Sequence, residues 1–197
     1  MSTNKIKLKE IIYLKPPKNG EYYLIAIDGR AGSGKTSLSK YLNSILPEFS
    51  FLCGDDYFEP IQHPIAWGGY NEERFSRDII KPLQDNKKTI NYHAYDWDNE
   101  PHLKNLSLKI TKGIFVDRVY SFSFEIDYDL KIWVETPRDL TIKRGIKRSS
   151  MPKDRAEKVW QELWKPMEDR YISQYHPDKK ADIIIDGAKS YRDQIIT

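Results

Sequence analysis

Eight consecutive residues carry the strongest chemical signal: Gly29-Arg30-Ala31-Gly32-Ser33-Gly34-Lys35-Thr36 matches G-x-x-x-x-G-K-[ST] in full. Glycines at these places let backbone N–H groups curl around phosphate oxygens with no Cβ in the way. The start of the following helix adds a field that favours anions. Lys35 can reach the β- and γ-phosphates of a nucleotide, and the Thr36 hydroxyl can sit on Mg²⁺. The expected nucleotide cradle is therefore Gly29, Ala31, Gly32, Ser33, Gly34, Lys35, Thr36 and Ser37. A bare glycine turn before a helix is the plain alternative, but the string follows a buried strand and opens an amphipathic helix, the context the motif requires. No Asn-Lys-x-Asp tetrad for reading guanine follows it, so the expected cofactors are ATP and Mg²⁺.

Binding becomes phosphoryl transfer to an alcohol when a carboxylate orients the hydroxyl and takes its proton, with acidic help for the metal. In a doubly wound sheet such groups stand at the carboxyl ends of strands, beside the phosphate loop. Cys53-Gly54-Asp55-Asp56-Tyr57-Phe58 and Phe115-Val116-Asp117 occupy such ends. Asp55 and Asp56 could instead cap a solvated turn; their place after a strand favours chemistry. Downstream, Arg144 and Arg148 are four apart and share a helix face, with Lys143 and Lys147 as a neighbouring stripe. A basic run of this kind is by default a solvated face. Its arginines could equally close over a triphosphate, work that suits a planar guanidinium; Arg138 is open between the two readings. Four histidines and one cysteine have no spacing that suggests a zinc site.

These groups need a scaffold, and the apolar pattern supplies one. Tyr22-Tyr-Leu-Ile-Ala-Ile27, Phe49-Ser-Phe-Leu-Cys53, Ile114-Phe-Val116, Leu130-Lys-Ile-Trp-Val134 and Ile183-Ile-Ile185 read as short strands buried on both faces. Between them Leu38, Tyr41, Leu42, Ile45 and Leu46 form one helical face closed by Pro47. Ala156, Trp160, Leu163, Met167 and Tyr171 mark a second, which Pro166 should kink or interrupt. Trp160 and Trp164 read as helix-packing residues, and Cys53 as a small buried hydrophobe. Alternation of strands and helices implies right-handed βαβ units. The expected fold is α/β: a three-layer α/β/α P-loop arrangement with a mostly parallel five-stranded sheet in a single domain, 1–197. Residues 1–20 form a leading segment, about 86–112 a substrate-side excursion, and about 138–155 a helical lid.

The phosphate loop together with Asp55-Asp56-Tyr57-Phe58 resembles the uridine kinase and phosphoribulokinase branch of the P-loop kinases, and the chain is similar to small bacterial proteins of uridine-kinase type. Further shared phrases are Gly69-Tyr70-Asn71, Tyr95-Asp96-Trp97, Asp129-Leu-Lys-Ile-Trp-Val-Glu135, Arg144-Gly-Ile-Lys-Arg148, Glu168-Asp-Arg-Tyr171 and Ala181-Asp-Ile-Ile-Ile-Asp-Gly187. The resemblance implies that Asp55 is the general base toward a sugar 5′-hydroxyl and lies beside the metal. It implies that Phe58 borders the nucleoside with Asp56 and Tyr57 nearby, and that Tyr95 and Asp96 contact it. Asp117 would help Thr36 hold Mg²⁺, and Arg144 and Arg148 would act catalytically, with Lys35, from a lid.

Three positions depart from the family pattern. Asp117-Arg118 replaces the usual Glu-Gly, placing an arginine that could crowd the metal site or add a charge to it. Gln62 replaces the acid before His63-Pro64, and Glu100 stands where a histidine usually follows the Tyr95 motif, with His102 two residues on. The implied activity is ATP- and Mg²⁺-dependent transfer of the γ-phosphoryl group to a small-molecule hydroxyl, foremost the 5′-hydroxyl of uridine or cytidine. Gln62 and Glu100 keep open another alcohol, such as pantothenate, a vitamin riboside or a sugar phosphate. Arg118 keeps open a nucleotide-binding regulatory protein without kinase activity.

Composition bounds the remaining classes. With 39% hydrophobic and 13% aromatic residues, the 197-residue chain can bury a sizeable core, which excludes global disorder. A mean hydropathy of −0.69 and the lack of a long apolar run argue against a transmembrane helix. A net charge of +3 makes no case for a nucleic-acid or membrane partner, leaving a small-molecule substrate as the expected one. The charged N-terminus lacks an apolar signal core, and a lone cysteine fits a reducing compartment, so a cytoplasmic location is expected.

Overall fold

Seven strands appear in a computed structural model that describes residues 8–18, 20–58, 70–96 and 103–194. In chain order they are β1 (Tyr23–Gly29), β2 (Phe49–Cys53), β3 (Thr89–Tyr95), β4 (Leu103–Lys109), β5 (Gly113–Asp117), β6 (Leu130–Glu135) and β7 (Ile183–Asp186). The five apolar runs become one parallel sheet in the order β2-β5-β1-β6-β7. Every residue of β1 and β5 is buried, as expected of strands covered on both faces.

Side chains alternate across that sheet and feed two cores. Ile25 and Ile27 meet Leu38 and Leu42 of helix α2 (Lys35–Ile45), and Leu46 just beyond its end, on one face. Leu24 and Ala26 meet a helical run over 72–84 on the other, together with the inner face of a hairpin formed by β3 and β4. That hairpin falls within residues 86–112: it is antiparallel from Thr89↔Lys109 to Tyr95↔Leu103, with Ile90, Tyr92 and Ala94 turned inward.

A helix over Arg138–Arg148 is followed by helical turns over 153–175. Pro166 does not break this second run. The helix widens into a π turn over Val159–Trp164 immediately before it, which accommodates the missing N–H and the bulk of the ring. The same device, a π turn over Ser76–Ile80, precedes Pro82. Widening also shifts the helical phase, so the apolar stripe counted from Ala156 to Tyr171 is only partly correct. Leu163 is 53% exposed, whereas Lys165 and Glu168 are buried. Among the described residues no helix is long and apolar enough to cross a membrane.

Candidate active site

Because the sheet is parallel, the carboxyl ends of β1, β2 and β5 share one edge, and three predicted groups follow directly from them. The glycine-rich loop leaves β1 and enters α2 through Gly34, whose φ of 108° is left-handed. A Cβ on Gly34 would collide with the Tyr191 hydroxyl, and one on Gly32 with the Thr141 carbonyl, so both positions need glycine. Lys35 is buried, and its ammonium donates to the carbonyls of Gly29 (3.0 Å) and Arg30 (3.1 Å). Thr136 Oγ1 and Arg144 Nη1 donate to the Ser33 carbonyl at 2.9 and 3.3 Å, and the Tyr191 hydroxyl to that of Gly34 at 2.9 Å. Arg144 Nη1 also reaches the Gly187 carbonyl at 2.9 Å, so one guanidinium ties the Arg138–Arg148 helix both to the loop and to the end of β7.

The back of the loop is gripped by α7 (Lys165–Tyr175). Glu168 Oε1 accepts the Ala31 N–H at 3.0 Å, and Lys165 Nζ donates to the Ala31 carbonyl at 2.9 Å and to Glu168 Oε2 at 2.6 Å. Burial pushes the Lys165 ammonium down to about 8 against the pull of Glu168. Arg30 pairs with Asp169 at 2.7 Å, and Arg138 joins the same carboxylate at 3.1 Å, so Arg138 serves an ion pair on the flank of the loop. Asp28, wholly buried near the end of β1, accepts N–H groups from Gly29, Tyr120 and Phe122 and the Tyr171 hydroxyl at 2.5 Å. Burial raises its carboxyl despite those bonds.

At the mouth of the loop Thr36 Oγ1 donates to Asp117 Oδ2 at 2.9 Å. Burial pushes the Asp117 carboxyl up to about 6; Lys35, Thr36 and Arg148 oppose the rise and Asp55 adds to it, so these groups act on one another. Register explains the convergence: Asp117 lies opposite both Ile27 of β1 and Cys53 of β2, and Asp55 is two residues beyond Cys53, exposed on a turn whose Gly54 and Tyr57 are buried. A hydroxyl and a carboxylate at the loop mouth are the hard oxygen donors that suit Mg²⁺, which takes one or two carboxylates and completes its shell from phosphates and water. Among the described residues no three His, Cys, Asp or Glu side chains form a ready-made metal cluster.

On the hairpin side, Asp55 Oδ1 accepts the Tyr70 hydroxyl at 2.5 Å. Asp56 Oδ2 accepts the Tyr92 hydroxyl at 2.9 Å, and burial raises the Asp56 carboxyl. Phe58 is half-buried, its ring edge-on to Tyr95 at 5.2 Å. Tyr95 is only 2% exposed, so its ring is packed in the core; Asp96 follows at the end of β3, half-buried. Arg74, which carries no sequence signal, fastens the Asp55 turn to the hairpin by donating to the carbonyls of His93 (2.9 Å), Asp56 (3.2 Å) and Phe58 (3.2 Å). Gln62, His63, Trp97, Glu100 and His102 lie outside the described residues.

Arg118 does not crowd the metal site. Its stem lies over Gly54, where a Cβ would collide with it, and its guanidinium sits among Tyr70, Phe75 and Phe124 in the hairpin-side core. Of the two readings the sequence leaves open, a crowded metal site or a charge added to it, neither matches this placement.

The parallel sheet and the glycine-rich loop define a P-loop α/β architecture. No protein-family model matches the chain. It is similar to curated uridine kinases: 28% identical over 181 residues to that of Borrelia duttonii, covering 82% of this chain and 85% of the relative. The uridine kinase of Ureaplasma parvum is 26% identical over 181 residues, covering 80% and 84%. Among solved structures, a possible uridine kinase from Bacillus stearothermophilus superposes with a TM-score of 0.64 at 17% identity, covering 90% of this chain and 94% of that one. A candidate fructose transport system kinase from Silicibacter sp. TM1040 gives 0.69 at 18% identity, covering 87% and 92%. The chain is thus similar in sequence to proteins named uridine kinase, and it shares the fold of these solved structures.

Proposed function

We propose that the chain transfers the γ-phosphoryl group of ATP, with Mg²⁺, to a hydroxyl of a small molecule held between the Asp55 turn and the hairpin, and that the 5′-hydroxyl of a pyrimidine nucleoside is the first acceptor to test. The observation that carries this reading is the convergence of Thr36, Asp117, Lys35 and Asp55 at one sheet edge, with Thr36 and Asp117 in contact at 2.9 Å. Lys35 and the loop amides hold the phosphates. Thr36 and Asp117 are the residues that would hold Mg²⁺, which when bound neutralises charge on the phosphate oxygens. Asp55 orients the acceptor hydroxyl and takes its proton at a carboxylate oxygen. Arg144, anchored on the loop and Gly187, and Arg148, four residues on along the same helix, stabilise charge on the transferring group. Asp56, Phe58, Tyr95 and Asp96 shape the acceptor side.

The curated relatives' name favours uridine, and the burial of Tyr95 favours a wall over a stacking platform, which leaves another alcohol as the second reading. Mixing the chain with ATP, Mg²⁺ and a panel of nucleosides, pantothenate, vitamin ribosides and sugar phosphates, and following ADP release, separates the two. Stimulation by uridine or cytidine supports the first; stimulation only by a different alcohol supports the second. No stimulation across the panel contradicts a kinase.

A further inference from the structure

Arg118 is a buried cation, 1% exposed, and among the described residues its Nε and Nη1 have no hydrogen-bond partner. The side-chain hydrogen bond it makes there is a long one, from Nη2 to the Tyr120 carbonyl at 3.5 Å. Among the described residues no carboxylate pairs with it; instead the guanidinium carbon lies 3.5 Å from the ring centre of Phe124 and 5.1 Å from that of Tyr70. Aromatic faces compensate a cation in part, but a buried guanidinium with idle donors is costly to hold. Such cost is characteristic of groups kept for function.

The neighbour it serves is Tyr70. That phenol is buried, its ring is edge-on to Phe58, and an isolated bridge pairs the backbones of Tyr70 and Phe58. Its hydroxyl donates to Asp55 Oδ1 at 2.5 Å. An unscreened positive charge beside the ring strengthens the phenol as a donor. One Asp55 oxygen is thereby fixed and the other left for the acceptor.

We infer that Tyr70 and Arg118 are positioning residues that act in series, Arg118 through Tyr70, to hold the Asp55 carboxylate for catalysis. The inference rests on Asp55 being the base. Neither residue touches the nucleotide loop, so their loss should appear in kcat and not in nucleotide affinity.

The test is a double-mutant cycle with Tyr70→Phe and Arg118→Met, alongside Arg118→Lys and Asp55→Asn, using MgATP and uridine or whichever alcohol in the panel turns over fastest. Tyr70→Phe keeps the ring and should lower kcat about tenfold or more, with the ATP Kd and acceptor KM within about twofold. Arg118→Met should lower kcat while leaving Tm unchanged or higher, because it removes an unpaired buried charge. Arg118→Lys should recover part of the rate, and the double variant should be no slower than Tyr70→Phe alone. Wild-type kcat in either single variant, or losses that multiply in the double variant, overturns the inference. So does an Arg118→Met chain that unfolds, since the charge would then be supporting the fold. If Asp55→Asn is inactive while both single variants are normal, the inference alone fails. If Asp55→Asn turns over, or the wild type accepts no alcohol, the underlying reading fails with it.

Discussion

Glu168→Gln isolates the grip of α7 on the phosphate loop. The glutamine carbonyl can still accept the Ala31 N–H that Glu168 accepts at 3.0 Å, so that bond survives. What disappears is the charge paired with Lys165 at 2.6 Å, between side chains 0% and 2% exposed. Removing one partner of a buried pair costs about 3–5 kcal/mol, which in a domain of this size is about 6–20 °C in Tm. Lys165 gives the effect a pH signature. Burial brings its folded value down to about 8 from the ordinary 10.5. A base whose folded value is depressed binds fewer protons than the unfolded chain between those values, so its contribution to stability rises with pH there. At pH 9 the amine is already mostly neutral in the parent, and the ion pair that Glu168 keeps is the longer one, to Arg30 at 3.6 Å. The variant should therefore melt well below the parent at pH 6.5 but within about 4 °C of it at pH 9, a residual of about 1 kcal/mol. Calorimetric melting at the two pH values checks this. An equal loss at both, or no loss at pH 6.5, refutes the buried-pair reasoning.

Gly145→Ala should lower Tm by about 2–12 °C, a cost of about 1–3 kcal/mol, because its Cβ would collide with the Trp160 indole packed on the lid helix; thermal melting checks it. Thr36→Val removes the hydroxyl that meets Asp117 and should weaken MgATP binding by about tenfold or more, whereas Thr36→Ser should keep it within a few-fold. Titration calorimetry with and without Mg²⁺ reads that difference.

The five strands were legible because doubly covered strands are written as unbroken apolar runs, and the loop because only glycines, a lysine and a threonine satisfy its geometry together. Asp55 and Asp117 were legible as acids that end such runs, and parallel pairing brings those ends together. Counting in steps of 3.6 failed where the helix did: the π turn before Pro166 rotates Leu163 outward and Lys165 and Glu168 inward. The place of Arg118 was not legible, because adjacency to Asp117 suggests a shared site whereas Gly54 leaves room for its stem to cross into the aromatic core. Tyr70 and Arg74 gave no signal of their roles, since both depend on contacts across 15 to 19 residues that exist only once the turn and the hairpin are packed. A residual cue for Asp28 was an acid embedded in an apolar strand, which a parallel sheet tolerates only when hydrogen bonds await it.

Asp55→Asn tests the central claim most directly. The variant preserves shape and hydrogen-bonding capacity while removing the proton acceptor. ATP-dependent turnover of the best panel alcohol should fall by about 10²–10⁴-fold, with MgATP affinity and Tm close to those of the parent. A variant that turns over within a few-fold of the parent contradicts the assignment of Asp55 as the base on which this site is built.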